Sequence, residues 1–308
     1  MKISEMQTKI TQLKAKTDTC ILAHVYMNRE IAEIADYVGD SFQISANAKE
    51  SDSGNLIVCG VRFMAETAKL LNPTKRVFLP NINAGCPMAE FCTPDELIGF
   101  KARNPDQIVV AYVNTTAELK KYCDVCVTSS SALKIVNSLD ADKILFIPDC
   151  NLGDYVRRNT TKEVVTVDGC CPFHAAVTPD DVKTARKQHP NALLLVHPEC
   201  APEVVASADY VGSTSGIMEY AAASDSAEFI IGTEMSIREH LQYQHPDKAF
   251  HTLSKKISCP DMRMTTLSDI LRTLETIESG NATDREIIMS DSDIAASVKC
   301  IDKMLELG

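Results

Sequence analysis

Three Cys-Pro steps carry the first chemical signal in this sequence: Cys86-Pro87, Cys171-Pro172 and Cys259-Pro260. The intervals are 85 residues from Cys86 to Cys171 and 88 from Cys171 to Cys259. Such near-equal spacing suggests one unit written three times, each copy delivering a thiol to a common centre. A structural zinc site closes with four ligands, and a [4Fe–4S] cluster ordinarily takes four thiolates. Three thiolates would leave one iron open to act as a Lewis acid on a substrate oxygen. A second set keeps the same interval: His24 with Tyr26, Tyr112 with Asn114, and His197 with Glu199. These residue types hold and move protons. A third set is the hydroxyl-rich turns around Ser41, Ser129 and Ser213-Thr214, whose amides and hydroxyls suit phosphate or carboxylate. His174, three residues after Cys171, is a candidate substrate contact or outer-sphere partner of a metal. The bland alternative is core cysteines and capping turns that match by chance, and the shared interval argues against it. Neither GxGxxG nor GxxxxGK[ST] occurs, so a dinucleotide fold and a P-loop are unsupported.

The elements that must position these groups repeat as well. Short apolar runs at 20–23, 56–60 and 76–79 read as buried parallel strands. They recur at 108–112, 144–148 and 163–167, and again at 192–196, 229–232 and 249–253. Helical stretches separate them, one expected over 30–41. Thr93-Pro94-Asp95-Glu96 and Thr178-Pro179-Asp180-Asp181 are matching helix starts, with a capping threonine, proline and acids in the first turn. Asp36, Asp124 and Asp209 keep the register, as do Gly60, Pro148 and Gly232. Alternating strands and helices imply an α/β fold with small parallel sheets covered on both faces. The expectation is three homologous αβα three-layer domains with pseudo-threefold symmetry around a central cleft. Their expected bounds are 1–88, 89–173 and 174–261, followed by a C-terminal helical tail over 262–308. Ligands gather outside the carboxyl ends of parallel strands, where the histidines, tyrosines and Glu199 fall.

Composition narrows the classes. A formal charge of −11 argues against a nucleic-acid footprint, which needs a basic surface. Residues 1–16 carry polar residues throughout and no apolar core segment of a signal peptide, and no run approaches the roughly 18 apolar residues of a membrane span. A cytoplasmic chain without membrane or nucleic-acid partners is expected. Twelve cysteines in a chain of this length do not read as a disulfide framework; most should be small buried hydrophobes. Cys123 and Cys126 form a CxxC without a second CxxC, and a structural role is expected for them.

With those residues assembled, the chain resembles the quinolinate synthase family. The matching stretches include Ala23-His-Val-Tyr26, Asp36-Tyr-Val-Gly-Asp-Ser41, Ala84-Gly-Cys-Pro-Met-Ala89, Tyr112-Val-Asn114, Cys171-Pro-Phe-His174, Val196-His-Pro-Glu-Cys200 and Asp209-Tyr-Val-Gly-Ser-Thr214. The resemblance implies three αβα domains around a [4Fe–4S] cluster held by Cys86, Cys171 and Cys259, with one open iron. It implies condensation of iminoaspartate with dihydroxyacetone phosphate to quinolinate, on the route to NAD, with an L-aspartate oxidase supplying iminoaspartate. Tyr26, Glu199, His24 and His197 match the family's catalytic residues. Ser41, Tyr112, Asn114, Ser129, His174, Ser213 and Thr214 match substrate-binding positions, together with His197 and Glu199. Two departures stand out. Some members carry CxxCxxC around the third ligand, where this chain has Cys259 alone, and Val25 replaces a common Asn or Tyr, its side chain expected to face away. Cys170, adjacent to Cys171, competes with it as second ligand. The rival classes are an iron–sulfur electron carrier, which wants four thiolates, and a zinc-stabilised binding module.

Overall fold

The computed structural model describes residues 2–281 and 283–308. Its apolar runs form twelve strands: β1 (Thr19–His24), β2 (Tyr37–Gly39), β3 (Asn55–Cys59), β4 (Arg76–Phe78), β5 (Ile108–Tyr112), β6 (Val125–Val127), β7 (Lys143–Ile147), β8 (Glu163–Thr166), β9 (Leu193–Val196), β10 (Tyr210–Val211), β11 (Glu228–Gly232) and β12 (Ala249–Thr252). They assemble into three four-stranded sheets of identical topology, β2-β1-β3-β4, β6-β5-β7-β8 and β10-β9-β11-β12. Every pairing is parallel. Parallel neighbours require helical crossovers, which cover both faces, and this is why β1, β5 and β9 are near-continuous apolar runs. The α/β class with three small all-parallel sheets agrees with the sequence reading.

One local reading needs correction. The sequence suggested three strands per copy and a helix over 30–41, but each sheet has a fourth edge strand, and the helix there is only Arg29–Ala32. The extra strands β2, β6 and β10 are two or three residues long, too short for any periodicity to register. A carboxylate fixes them instead. Asp36, Asp124 and Asp209 precede them and accept the backbone N–H of Ile21, Val109 and Leu194 at 2.8, 2.7 and 2.7 Å. The same aspartates donate their own N–H to the carbonyl of that residue and pair with Lys14, Lys101 and Arg186. The repeated aspartates are thus strand clamps, one per sheet.

The chain end binds the first two units together. Residues 285–287 run antiparallel along β4, where Leu79 N–H meets Arg285 O at 2.9 Å and Ile287 N–H meets Val77 O at 2.8 Å. The helix Asp291–Leu307 then packs its Ile294, Cys300, Ile301 and Met304 face against β6 and the helices Arg62–Leu71 and Ala117–Lys120. Cys126 and Cys300, both buried, bring their sulfurs within 3.3 Å there, and all twelve thiols are free. Among the described residues no helix is long and apolar enough to cross a membrane.

Candidate active site

The carboxyl ends of β1, β5 and β9 point into one central cavity of about 790 Å³, its open mouth included. Cys86, Cys171 and Cys259 all line it, one from each repeat; Cys170 does not. The Cys-Pro step has a local purpose. Proline has no N–H to offer, and the chain turns so that the next two amides face the sulfur: those of Met88 and Ala89 at Cys86, of Phe173 and His174 at Cys171, and of Asp261 and Met262 at Cys259. Among the described residues none of these approaches closes into a full hydrogen bond. Burial works against them, pushing the Cys86 thiol up to about 12, Cys259 to about 11 and Cys171 well above its ordinary value. Half-buried thiols facing one cavity with amides close by become ligands when a bound metal supplies the opposing charge. The donor set therefore fits an iron–sulfur cluster anchored at three positions.

Beside the thiols lies an acid–base set. His24 and His197 are buried and arranged alike: each Nδ1 accepts the backbone N–H two residues on, from Tyr26 at 3.1 Å and Glu199 at 3.3 Å. That bond places the imidazole proton on Nε2. Burial lowers both histidines to about 4, so they are neutral N–H donors near neutral pH. Tyr112 O–H donates to Glu199 Oε1 at 2.6 Å, and His174 Nδ1 lies 2.9 Å from Glu199 Oε2. Burial pushes the Glu199 carboxyl up, but the donors His174 Nδ1 and Tyr112 OH outweigh it and hold Glu199 ionised, below the usual carboxylate range. Burial, then the Glu199 charge, raise the Tyr26 and Tyr112 phenols, which stay protonated.

These groups join into a continuous hydrogen-bond chain. Tyr26 OH meets Thr233 Oγ1 at 3.0 Å, Thr233 Oγ1 meets His174 Nε2 at 3.1 Å, and His174 Nδ1 reaches Glu199, which accepts from Tyr112. His174 Nδ1 is also 3.2 Å from Cys171 Sγ, tying the chain to the thiol set. Because Nδ1 faces a carboxylate it carries the proton, leaving Nε2 to accept from Thr233.

The hydroxyl turns reach the same cavity. Ser41 and Thr214 are the first residues of the helices Ser41–Glu50 and Thr214–Ala223, and Ser129 follows β6; all three line the cavity. Thr214 Oγ1 is 2.8 Å from Tyr26 OH. Ser213 is the exception. It lies outside the central cavity, on an outer groove, and its Oγ accepts the Gly216 N–H at 3.1 Å as a helix cap. Asn114 lines the cavity too, and its buried Oδ1 finds no partner among the described residues, which suits a ligand-facing acceptor. Val25 turns away, packing with Leu195, Ile217 and Phe229 of the third unit.

Sequence reasoning passed over several contributors. Thr233 is fully buried at the middle of the hydrogen-bond chain. Asp149 caps the helix Cys150–Arg158 through Leu152 N–H at 2.7 Å and holds the Cys171 N–H at 2.9 Å; burial and Glu199 raise it to about 7. Glu234 plays the corresponding part near Cys259, with Cys259 N–H at 3.4 Å and Ser236 N–H at 2.7 Å. Asp40 forms part of the cavity wall and accepts from Ser215 Oγ at 2.6 Å. The available signal was the register of Gly60, Pro148 and Gly232, since Asp149 and Thr233 are the residues that follow the latter two.

Comparison with known proteins adds an independent line. The family described as Quinolinate synthetase A protein matches residues 8–306. A quinolinate synthase of Caldicellulosiruptor saccharolyticus is 43% identical over 310 residues, covering 100% of both chains. One from Thermodesulfovibrio yellowstonii is 45% identical over 268 residues, 87% of this chain and 88% of its own. One from Methanoregula boonei is 43% identical over 302 residues, 98% of each.

Proposed function

The chain belongs to the quinolinate synthase family, and we propose that its central cavity condenses iminoaspartate with dihydroxyacetone phosphate, losing phosphate and water as quinolinate forms. The observation that carries this reading is the shared cavity: one half-buried thiol and one strand-end polar pair from each of three repeats. Cys86, Cys171 and Cys259 would hold a [4Fe–4S] cluster. When bound, such a cluster supplies a Lewis-acidic iron without a protein thiolate, suited to a substrate oxygen or nitrogen.

The protein's own groups divide the remaining work. His24 and His197 offer neutral Nε2–H donors, able to hold substrate carboxylate or carbonyl oxygens without adding charge. Ser41, Ser129 and Thr214 offer hydroxyls at two helix starts and a turn to the phosphate and carboxylates, despite the net charge of −11. Asn114 Oδ1 is an acceptor for a substrate N–H or O–H. Glu199, ionised, takes a proton from substrate, and Tyr26, protonated, gives one, as isomerisation and dehydration require. The chain through Thr233 and His174 lets the two exchange protons without bulk water. Ser213, a helix cap, supports its turn rather than contacting substrate. An L-aspartate oxidase would supply the iminoaspartate. An electron carrier or a zinc module would have no use for this acid–base chain.

The test is turnover. Anaerobically purified, iron-loaded protein is mixed with dihydroxyacetone phosphate and iminoaspartate generated in place, and quinolinate is measured by chromatography. Product that depends on both substrates supports the reading; its absence from protein with a full iron complement overturns it.

A further inference from the structure

The third sheet carries a second convergence of ligand-type side chains, at the end opposite the central cavity. His189 caps the helix Pro179–Gln188 with its own N–H bound to Ala185 O at 2.9 Å. Glu228 opens β11, and His251 lies on the adjacent β12, where it is paired with Ile230. His189 Nδ1 and His251 Nε2 both face Glu228 Oε1, at 3.1 and 3.0 Å. The two rings stack, with centroids 3.4 Å apart and planes within 13°. Glu228, His189 and His251 each offer one donor atom, and the three atoms lie within 4.8 Å of one another.

We propose that His189, Glu228 and His251 form a site for a divalent transition metal of the zinc type. Two imidazoles and a carboxylate are donors that favour zinc, nickel or copper over magnesium or calcium. Each ring turns one nitrogen toward Glu228 and can carry its proton on the other, so in the neutral form both nitrogens that face the carboxylate can give their lone pairs to a metal. The side chains are 27 to 31% exposed, which gives a metal a path in and leaves room for water in the remaining positions. The ligands sit on paired strands and a helix end, so their geometry is held by backbone hydrogen bonds. The neighbouring Arg238 has its Nε engaged by Phe250 O at 3.1 Å. A bound metal would cross-link β11, the edge strand β12 and the helix before β9.

The probe is zinc itself. Anaerobic, iron-loaded wild-type protein is dialysed to equilibrium against zinc, in parallel with the His189→Ala/His251→Ala double variant and with Glu228→Gln, and zinc and iron per chain are counted. Wild type should bind one more zinc than the double variant at equal iron content, so adventitious binding to other thiols cancels in the difference. Glu228→Gln, which keeps the side-chain shape, should weaken that zinc by roughly tenfold or more, since loss even of an outer-shell partner costs ten- to a hundredfold. Equal zinc in wild type and the double variant, or unchanged affinity in Glu228→Gln, would overturn the site and leave a hydrogen-bonded surface cluster. Far-ultraviolet circular dichroism checks that each variant is folded.

Discussion

Cys170 and Cys171 are neighbours in the chain with opposite surroundings. Cys171 lines the central cavity, with its backbone N–H held by Asp149, and Cys170 lies outside it. Replacing Cys86, Cys171 or Cys259 by alanine should therefore abolish the broad visible absorption of an iron–sulfur cluster, whereas Cys170→Ala should retain it. Absorption and iron count on anaerobic protein decide this, and a full cluster in Cys171→Ala would reassign the ligand. Glu199 and Tyr26 stand at two points of one proton chain, so size-conserving changes separate chemistry from folding. Glu199→Gln and Tyr26→Phe should lower turnover by roughly a hundredfold or more, the usual scale for losing a positioned acid or base, with iron content unchanged. Thr233→Val interrupts the same chain between Tyr26 and His174 and should move turnover in the same direction. Near-normal rates in all three would remove the chain from the mechanism.

At the scale of elements, the same hydroxyl type serves two ends. Ser213 spends its oxygen on the first turn of its own helix, while Thr214, one residue on, faces the cavity. Ser129 stands in the equivalent turn of the second unit. If these places hold substrate anions, Ser129→Ala and Thr214→Val should each cost about 1.5 to 3 kcal/mol of binding, as for hydrogen bonds to charged groups. Affinity for quinolinate or dihydroxyacetone phosphate then falls roughly ten- to a hundredfold. Thr214→Val should also slow turnover, because its Oγ1 supports the Tyr26 hydroxyl; Ser129→Ala has no such contact. Calorimetric titration of each ligand into anaerobic protein measures both, and unaltered affinity in both variants would move the anion site elsewhere.

For the molecule as a whole, three similar sheets face one cavity, and the chain end stitches two of them together. Ile301 is fully buried on the helix Asp291–Leu307, between β6 of the second unit and the helix Arg62–Leu71 of the first. Ile301→Ala leaves a cavity at that junction and should cost about 2 to 5 kcal/mol, the range for truncating a buried isoleucine. Thermal unfolding at matched iron content reads it out; a midpoint equal to wild type would mean that the helix contributes little to holding the units together.

The amino-acid sequence alone determined the threefold repeat, the parallel α/β class and the strand ends carrying His24, Tyr112 and His197. Those features rest on local causes: a buried parallel strand must be an apolar run, and a helix start must satisfy its free amides. Spacing also marked Asp36, Asp124 and Asp209, though not their task as clamps, since a carboxylate's partner is a backbone group fifteen residues away in sequence. The edge strands β2, β6 and β10 escaped because two or three residues carry no period. Only the tertiary structure put Cys171 on the cavity and Cys170 off it, made Ser213 a cap and Thr214 cavity wall, and brought Thr233 between Tyr26 and His174. It alone also set His189, Glu228 and His251 around one oxygen. Each of these choices turns on where a side chain points after distant segments pack, and no pattern along the chain encodes that direction.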